Sequence, residues 1–448
     1  MGHSGDSPTV TAERSSHTPP NSSSKRKRHH DRARIRKKQK LVSIETETNI
    51  RVHTRKTDLT STLSTYTRGH PSSYSRYQDR SYRQPWSCKT QSQRKWTYSA
   101  RDVSNYNDRV VIVSYNILGV ENAINHPELY RGVSPKHLDW DYRKKLLCKE
   151  VKDYQAGILC FQEVDHFDDL NEILGKDGFR GLYKARGGEF HDGCAIFWKS
   201  KLFTLLHEEN IEFERFGLRS NIAQFCVLKM KEDLATANDT ARPPCATTSR
   251  RLVVGNTHVL YNPKRGDIKL GQMRMFLEKA HELSQEWGTI PVVITGDLNS
   301  VPQSAMYQFL ASSELNIQQH DRRRISGQIF QSPRNPSTRW TDEEMMLATG
   351  SRRSSSLRHQ LKLCSAYAEV PGSSEVRDKI GEPLATSYHS MFSGTVDYIW
   401  HTLDLVPVKV LETLSMHSLR ETGGLPSKKW GSDHLAVVCE LAFVADGD

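Results

Sequence analysis

The sequence predicts a layered α/β fold. Short apolar runs rich in β-branched residues, such as Val110–Val113, Ile158–Phe161 and Val292–Ile294, recur along it. Each has the length and composition of a buried strand. Between the runs, apolar residues fall at helical spacing, as with Leu147, Val151 and Tyr154, which would share one helix face. A third observation concerns function. Several runs end in residues able to bind a cation or move a proton, and ligand sites in layered α/β proteins commonly sit at strand ends.

Pro291–Ser300, PVVITGDLNS, shows the pattern best. The run Val292–Ile294 passes through Thr295 and Gly296 to Asp297, Leu298, Asn299 and Ser300. If the extended conformation continues, Asp297 and Asn299 point to the same side of the strand end. A carboxylate and a carboxamide so placed orient a water or hold a hard cation. The same residues also suit an Asx turn closing a core strand.

Residues 1–107 are expected to be a disordered tail, because they are rich in Ser, Thr, Arg and His and poor in aliphatics. They carry 22 Lys+Arg against 8 Asp+Glu, leaving 41 against 44 elsewhere, so the net charge of +11 belongs to the tail. Such charge suggests nucleic acid, an acidic partner or nuclear import. Lys25–Lys40, KRKRHHDRARIRKKQK, is similar to a nuclear localisation signal, so nucleus and cytoplasm are the expected locations; the run would equally suit a solvated basic tail. Tyr66–Arg101 interleaves aromatic residues, Trp96 and Tyr98 among them, with arginines. That pattern can stack bases and meet phosphates, or serve as a linker.

Order is expected from Arg109, in one domain over 108–443 with a short tail at 444–448. The first run leads into Ser114-Tyr115-Asn116, and the second ends in Gln162-Glu163. Phe167–Leu174 reads as a helix closed by Gly175 and Gly178. Cys194–Trp198 and Ala223–Met230 read as paired strands, and 231–251 as a surface insertion. Leu252–Gly255 ends in Asn256-Thr257-His258. Asp267–Trp287 is helical, with Leu270, Met273, Leu277 and Ala280 as its stripe. Ser300–Leu310 reads as a helix start that tolerates Pro302 in its first turn, and 319–360 as a flexible loop. Thr395–Trp400, Leu405–Leu414 and Ala436–Leu441 complete the apolar runs, the last preceded by Gly431-Ser432-Asp433-His434. The eight cysteines show no zinc spacing; they read as core thiols in a reducing compartment. No run is long enough to cross a bilayer, and the N-terminus lacks a hydrophobic signal core.

Asn116, Glu163, His258, Asp297 and Asn299 therefore follow strands, Asp397 lies inside an apolar run, and Asp433 and His434 precede one. Singly, each has a structural reading: His258 as a core histidine, Glu163 as a helix N-terminal carboxylate, Asp397 as a buried acid held by amides. Together they supply hard oxygen donors and two imidazoles, a set suited to Mg²⁺ or Mn²⁺ more than to zinc.

VSYNIL, CFQEV, GNTHVLYNP, TGDLNS, TVDYIW and GSDH, in that order, resemble the endonuclease/exonuclease/phosphatase superfamily. Tyr261-Asn262-Pro263 with Asp267–Gln272 resembles the carbon catabolite repressor type deadenylases, which are Mg²⁺-dependent 3′→5′ poly(A) exonucleases. Without leucine-rich repeats, the chain resembles the repeat-lacking branches, which include Angel-like and nocturnin-like enzymes. The resemblance implies a four-layer α-β-β-α sandwich of the DNase I type, two packed mixed sheets flanked by helices.

It also implies roles. Glu163 becomes the principal ligand of one or two Mg²⁺ ions, with Mn²⁺ as a substitute, aided by Asn116 and, for a second ion, Asp433. Asp297 positions or deprotonates the attacking water, and Asn299 orients it or the phosphate. His434, polarised by Asp397, binds the phosphate or shuttles a proton. His258 contacts phosphate or the second metal, and Asn116 also binds substrate. Phe392 and Pro263 match the two walls of an adenine clamp. The implied substrate is RNA with a poly(A) 3′ end, shortened with release of AMP. The implied partners are mRNA-decay or deadenylase-complex proteins, with no membrane or DNA partner expected. A phosphatase acting on an RNA end or a dinucleotide cofactor would share this machinery. A non-catalytic RNA-binding scaffold and an abasic-site DNA nuclease, built on the same core, are competing functions.

Overall fold

The computed structural model describes residues 94–231, 250–329 and 339–444. The basic run Lys25–Lys40, the aromatic stretch up to Gln93, the centre of the 231–251 insertion and residues 445–448 lie outside the described residues.

The chain enters a first sheet with β1 (Trp96–Tyr98), β2 (Arg109–Asn116), β3 (Ile158–Gln162), β4 (Phe179–Ala185) and β5 (Gly193–Lys199). It crosses to a second with β6 (Phe203–Glu212), β7 (Ile222–Met230), β8 (Arg251–His258) and β9 (Val292–Asp297). A small pair follows, β10 (Glu314–Asn316) with β11 (Ser356–Arg358), then β12 (Leu363–Ser365). A hairpin of β13 (Ser387–His389) and β14 (Phe392–Gly394) precedes β15 (Asp397–Thr402), and β16 (Leu405–Leu411) and β17 (Val437–Phe443) return to the first sheet. The sheet orders are β1-β16-β17-β2-β3-β5-β4 and β12-β15-β9-β8-β7-β6.

Strand alternation assigns each residue to a layer. From β2, β3 and β5, Ile112, Ile158, Cys160 and Ile196 join Val254 and Val293 of the second sheet in the core between the sheets. Their neighbours Val113, Leu159, Phe161 and Phe197 face outward. There they meet helices α1 (Trp140–Asp153) and α2 (Phe167–Lys176), which contribute Leu147, Val151, Leu170 and Leu174. The outer face of the second sheet, including Val253, Val292 and Ile294, packs on α3 (Gly266–Glu286) and α4 (Ala305–Ser312). The result is the expected α-β-β-α sandwich. Each fully buried aliphatic or Phe side chain contributes about 1.5–3 kcal/mol to it.

Register brings the polar strand ends together. β8 and β9 run parallel with His258 beside Asp297. β15 runs antiparallel to β9, which sets its first residue, Asp397, beside Asp297. β2 and β3 are parallel and end at Asn116 and Gln162, one residue before Glu163. Gly296 makes the β8–β9 approach possible, since a Cβ there would stand 2.0 Å from the Thr257 carbonyl oxygen.

Several expectations are corrected. Order begins before Arg109: Trp96–Tyr98 pairs with Leu411–Lys409, and the Lys409 ammonium lies over both the Trp96 and Tyr98 rings. These two aromatics belong to a sheet edge. Cys194–Trp198 and Ala223–Met230 are not partners; β5 pairs with β3 and β4, whereas β7 pairs with β6 and β8. Residues 319–360 are not simply a loop, because α5 (Asp342–Thr349) carries a capping box of Thr341 and Glu344 and packs against α3. The helix expected from Ser300 begins only at Ala305, capped by Ser304.

Candidate active site

Asn116, the last residue of β2, ties the site together. Its Nδ2 donates to Glu163 Oε1 at 3.0 Å and to Asp297 Oδ2 at 3.1 Å, and its Oδ1 accepts the Leu118 N–H at 3.0 Å. Glu163 Oε2 also accepts from Asn122 Nδ2 at 2.8 Å and from the Gly119 N–H at 3.0 Å. Burial alone would raise its pKa. The His258 imidazole and the Asn116, Asn122 and Gly119 donors more than offset that, holding Glu163 down at about 2. It therefore presents a permanent negative charge.

The turn reading of TGDLNS is realised. The Asn299 N–H donates to Asp297 Oδ1 at 2.8 Å, which is an Asx turn. Asn299 is also part of the site, but not by extension of the strand, for its φ is +45°. The Val259 carbonyl accepts from Asn299 Nδ2 at 2.9 Å and so fixes the amide's orientation. The same nitrogen lies 3.0 Å from His258 Nε2, which is also 3.4 Å from Asp297 Oδ2. Burial lowers the His258 pKa, against the pull of Asp297 and Glu163.

His434 is the opposite case. Its Nδ1–H donates to Asp397 Oδ2 at 2.8 Å, an oxygen that also accepts from Thr386 Oγ1 at 2.6 Å. Burial opposes the imidazolium, but Asp397, then Asp433 and Asp297, raise its pKa well above the ordinary value. Its Nε2 faces Asp297 Oδ2 at 3.9 Å. Asp297 is itself raised, first by burial and then by Asp397, against the two histidines. The floor thus sets the Asp297 carboxylate beside the His434 ring, whose charged form Asp397 favours.

A cavity of about 610 Å³ opens onto this floor. Glu163, His258, Asp297, Asn299, Asp433 and His434 line it, as do Pro263 and Phe392. Asn116 and Asp397 do not line it; they stand buried behind the carboxylates and the imidazole that they hold. The donor types fit a hard divalent cation, since the carboxylates of Glu163, Asp297 and Asp433 all line the cavity. Asp297, Asp397 and His434 also bring donor atoms within 4.8 Å of one another.

The Endonuclease/Exonuclease/phosphatase family model matches residues 113–434. The chain belongs to this family. It is 57% identical over 373 residues to Carbon catabolite repressor protein 4 homolog 5 of Arabidopsis thaliana, covering 79% of this chain and 82% of that protein. Protein angel homolog 2 of Homo sapiens is 30% identical over 390 residues, covering 74% and 68%. A crystal structure of ANGEL2, described as a 2′,3′-cyclic phosphatase and complexed with adenosine-2′,3′-vanadate, matches with a TM-score of 0.65 at 31% identity. That match covers 78% of this chain and 99% of that one.

This family member also carries site residues that sequence reasoning missed. Arg186 is the only Lys or Arg lining the cavity among the described residues. Its Nη1 lies 3.2 Å from Asp192 Oδ1 and its guanidinium 4.0 Å from the Phe190 ring centroid. It sits in a glycine-rich loop, where no periodicity marks it. Lys269 left a signal: it precedes Met273 by four residues, on the apolar stripe of α3. It is fully buried, and its Nζ donates to the Asn299 carbonyl at 2.8 Å, holding the Asx turn.

Burial lowers the Lys269 pKa from 10.5 to about 7, with Asp297 opposing. The unfolded chain therefore binds more protons between those values, and this group makes stability rise with pH across that window. Lys269→Met should flatten that rise in urea midpoints measured at two pH values inside it. It should also cost about tenfold in kcat through displacement of Asn299.

Proposed function

We propose that this hydrolase is a Mg²⁺-dependent 3′→5′ exoribonuclease that shortens poly(A) ends and releases AMP. The observation that carries the reading is the single cavity, which joins the acid–imidazole floor to a rim formed by Tyr261, Pro263 and Phe392. Such a rim can hold an adenine by stacking, worth about 1–3 kcal/mol per base. The floor beneath it matches the needs of phosphodiester hydrolysis.

Asp297 takes the proton of a water as its oxygen bonds to phosphorus. The bond from phosphorus to the departing 3′-oxygen breaks, and His434 gives that oxygen a proton. Asn299 and Asn116 keep Asp297 in place for this transfer. Glu163, with Asp433, would hold the divalent cation, which supplies charge neutralisation at the phosphate. Arg186 meets a non-bridging phosphate oxygen with its guanidinium. Arg186→Ala should lower kcat/KM by about 10- to 100-fold, measured on oligoadenylate at saturating Mg²⁺.

A second reading is favoured by the likeness to ANGEL2, described as a 2′,3′-cyclic phosphatase: opening of a 2′,3′-cyclic phosphate at an RNA 3′ end. Two labelled RNAs of identical sequence separate the readings, one ending in a 3′-hydroxyl and the other in a 2′,3′-cyclic phosphate. Stepwise shortening of the first supports the exonuclease. Conversion of the cyclic end alone, with full length retained, overturns it.

A further inference from the structure

We propose that a second cavity, of about 410 Å³, binds the nucleotide next to the 3′-terminal one. The inference rests on the exoribonuclease reading. The volume falls within the roughly 300–1,000 Å³ of small-ligand sites.

The two cavities share a wall. Leu129, His389, Met391 and Phe392 line both. The hairpin of β13 and β14 divides them, and its tip is fixed: the Ser390 N–H donates to the Leu129 carbonyl at 3.1 Å, and Ser390 Oγ to the Glu128 carbonyl at 2.8 Å. A chain whose last base lies against Phe392 thus has its preceding unit at the entrance to the second cavity.

Charge then selects the occupant. Four carboxylates line the catalytic cavity, those of Glu128, Glu163, Asp297 and Asp433. None lines the second, whose one guanidinium is that of Arg131. An anion can therefore bind there without a metal ion. The remaining wall suits a nucleotide. His389 and Phe392 form a tilted pair with centroids 6.1 Å apart, offering ring surface to a base. Gly423 also lines this cavity, and no heavy atom comes within 4 Å of its Cβ position, leaving room for a sugar-phosphate.

The test uses Arg131→Glu and, as a conservative control, Arg131→Lys. Arg131 is exposed, and thermal midpoints verify folding. Oligoadenylate binding is measured by fluorescence anisotropy in an Asp297→Asn background, so that hydrolysis plays no part. Arg131→Glu should weaken binding about tenfold, and the log–log salt slope should fall by about 0.7, the value of one single-strand phosphate contact. Arg131→Lys should restore most of both. In the otherwise wild-type enzyme, Arg131→Glu should leave hydrolysis of p-nitrophenyl 5′-adenylate unchanged, since that ester has no second nucleotide.

Equal affinity and an equal salt slope for Arg131→Glu and its parent would overturn the subsite, as would an equal loss on the aryl ester. Failure of wild-type protein to shorten oligoadenylate that it binds would instead overturn the exoribonuclease reading, while the Arg131 dependence of binding still reports on the subsite.

Discussion

Glu163→Ala should abolish hydrolysis, with a loss in kcat of about three orders of magnitude or more, and yet fold. The activity loss follows from charge. Glu163 is the carboxylate kept ionised at about 2, and it lines the cavity beside Asp297 and Asp433. On the proposed function, a cation bound here would lose its principal ligand. The fold should persist because Glu163 is only half-buried and adds no apolar contact to either sheet. Its φ of +56° is no harder for Ala than for Glu, so the exchange adds no backbone strain. Glu163→Gln separates charge from geometry, for it retains a side-chain oxygen that can accept from Asn122. Activity should stay low in Gln, and isothermal titration with Mg²⁺ should show weaker binding in both variants. Full activity of either at millimolar Mg²⁺ would remove Glu163 from the metal site.

Asp397→Asn should lower kcat about 10²- to 10⁴-fold and reshape the pH profile. Asp397 is buried and does not reach the cavity, so it acts through His434. In the native protein the raised His434 pKa keeps the imidazolium present above the usual histidine range. The stability it contributes is complete below the unfolded value of 6.5 and is lost as pH rises through the folded value. With Asn at 397 the ring loses its main stabilising charge and deprotonates at lower pH. The descending limb of kcat should therefore move toward acid, and the pH dependence of stability should weaken. A lower kcat with an unmoved alkaline limb would mean that Asp397 only braces the loop.

Much of this was legible in the sequence, for reasons visible in particular residues. A strand buried on both faces, such as Ile158–Gln162, reads as an unbroken apolar run whatever its partners. The polar residue that closes such a run stands out against it even where the fold keeps it buried, as at Asn116 and Asp297, so Asn116, Glu163, His258 and Asp297 could be read as site candidates. Partnership was less legible, because neither Cys194–Trp198 nor Ala223–Met230 carries a mark of its sheet. Edge strands were weaker signals still: β6 carries His207, Glu208 and Glu209 and lies at one end of its sheet. The Thr341–Glu344 capping box was present within 319–360, but the surrounding polar clusters obscured it. Left-handed backbone at Glu163 and Asn299 had no signal, since neither is glycine. It arises where the Gly119 and Asn122 donors, the Asx turn and Lys269 hold those residues.

The central claim is that one cavity both cleaves a phosphodiester and prefers a terminal adenosine. Its most direct test is product analysis on two 5′-labelled RNAs of equal length, one ending in an oligoadenylate tail and the other in an oligouridylate tail, with Mg²⁺ and with EDTA. The predicted result is a ladder of single-nucleotide steps from the 3′ end on the adenylate substrate, released as AMP. The uridylate ladder should be slower, and EDTA should abolish both. Equal rates on the two tails would contradict the adenine clamp of Pro263 and Phe392. Internal cleavage, or full-length RNA with an altered 3′ end, would contradict the exonuclease itself.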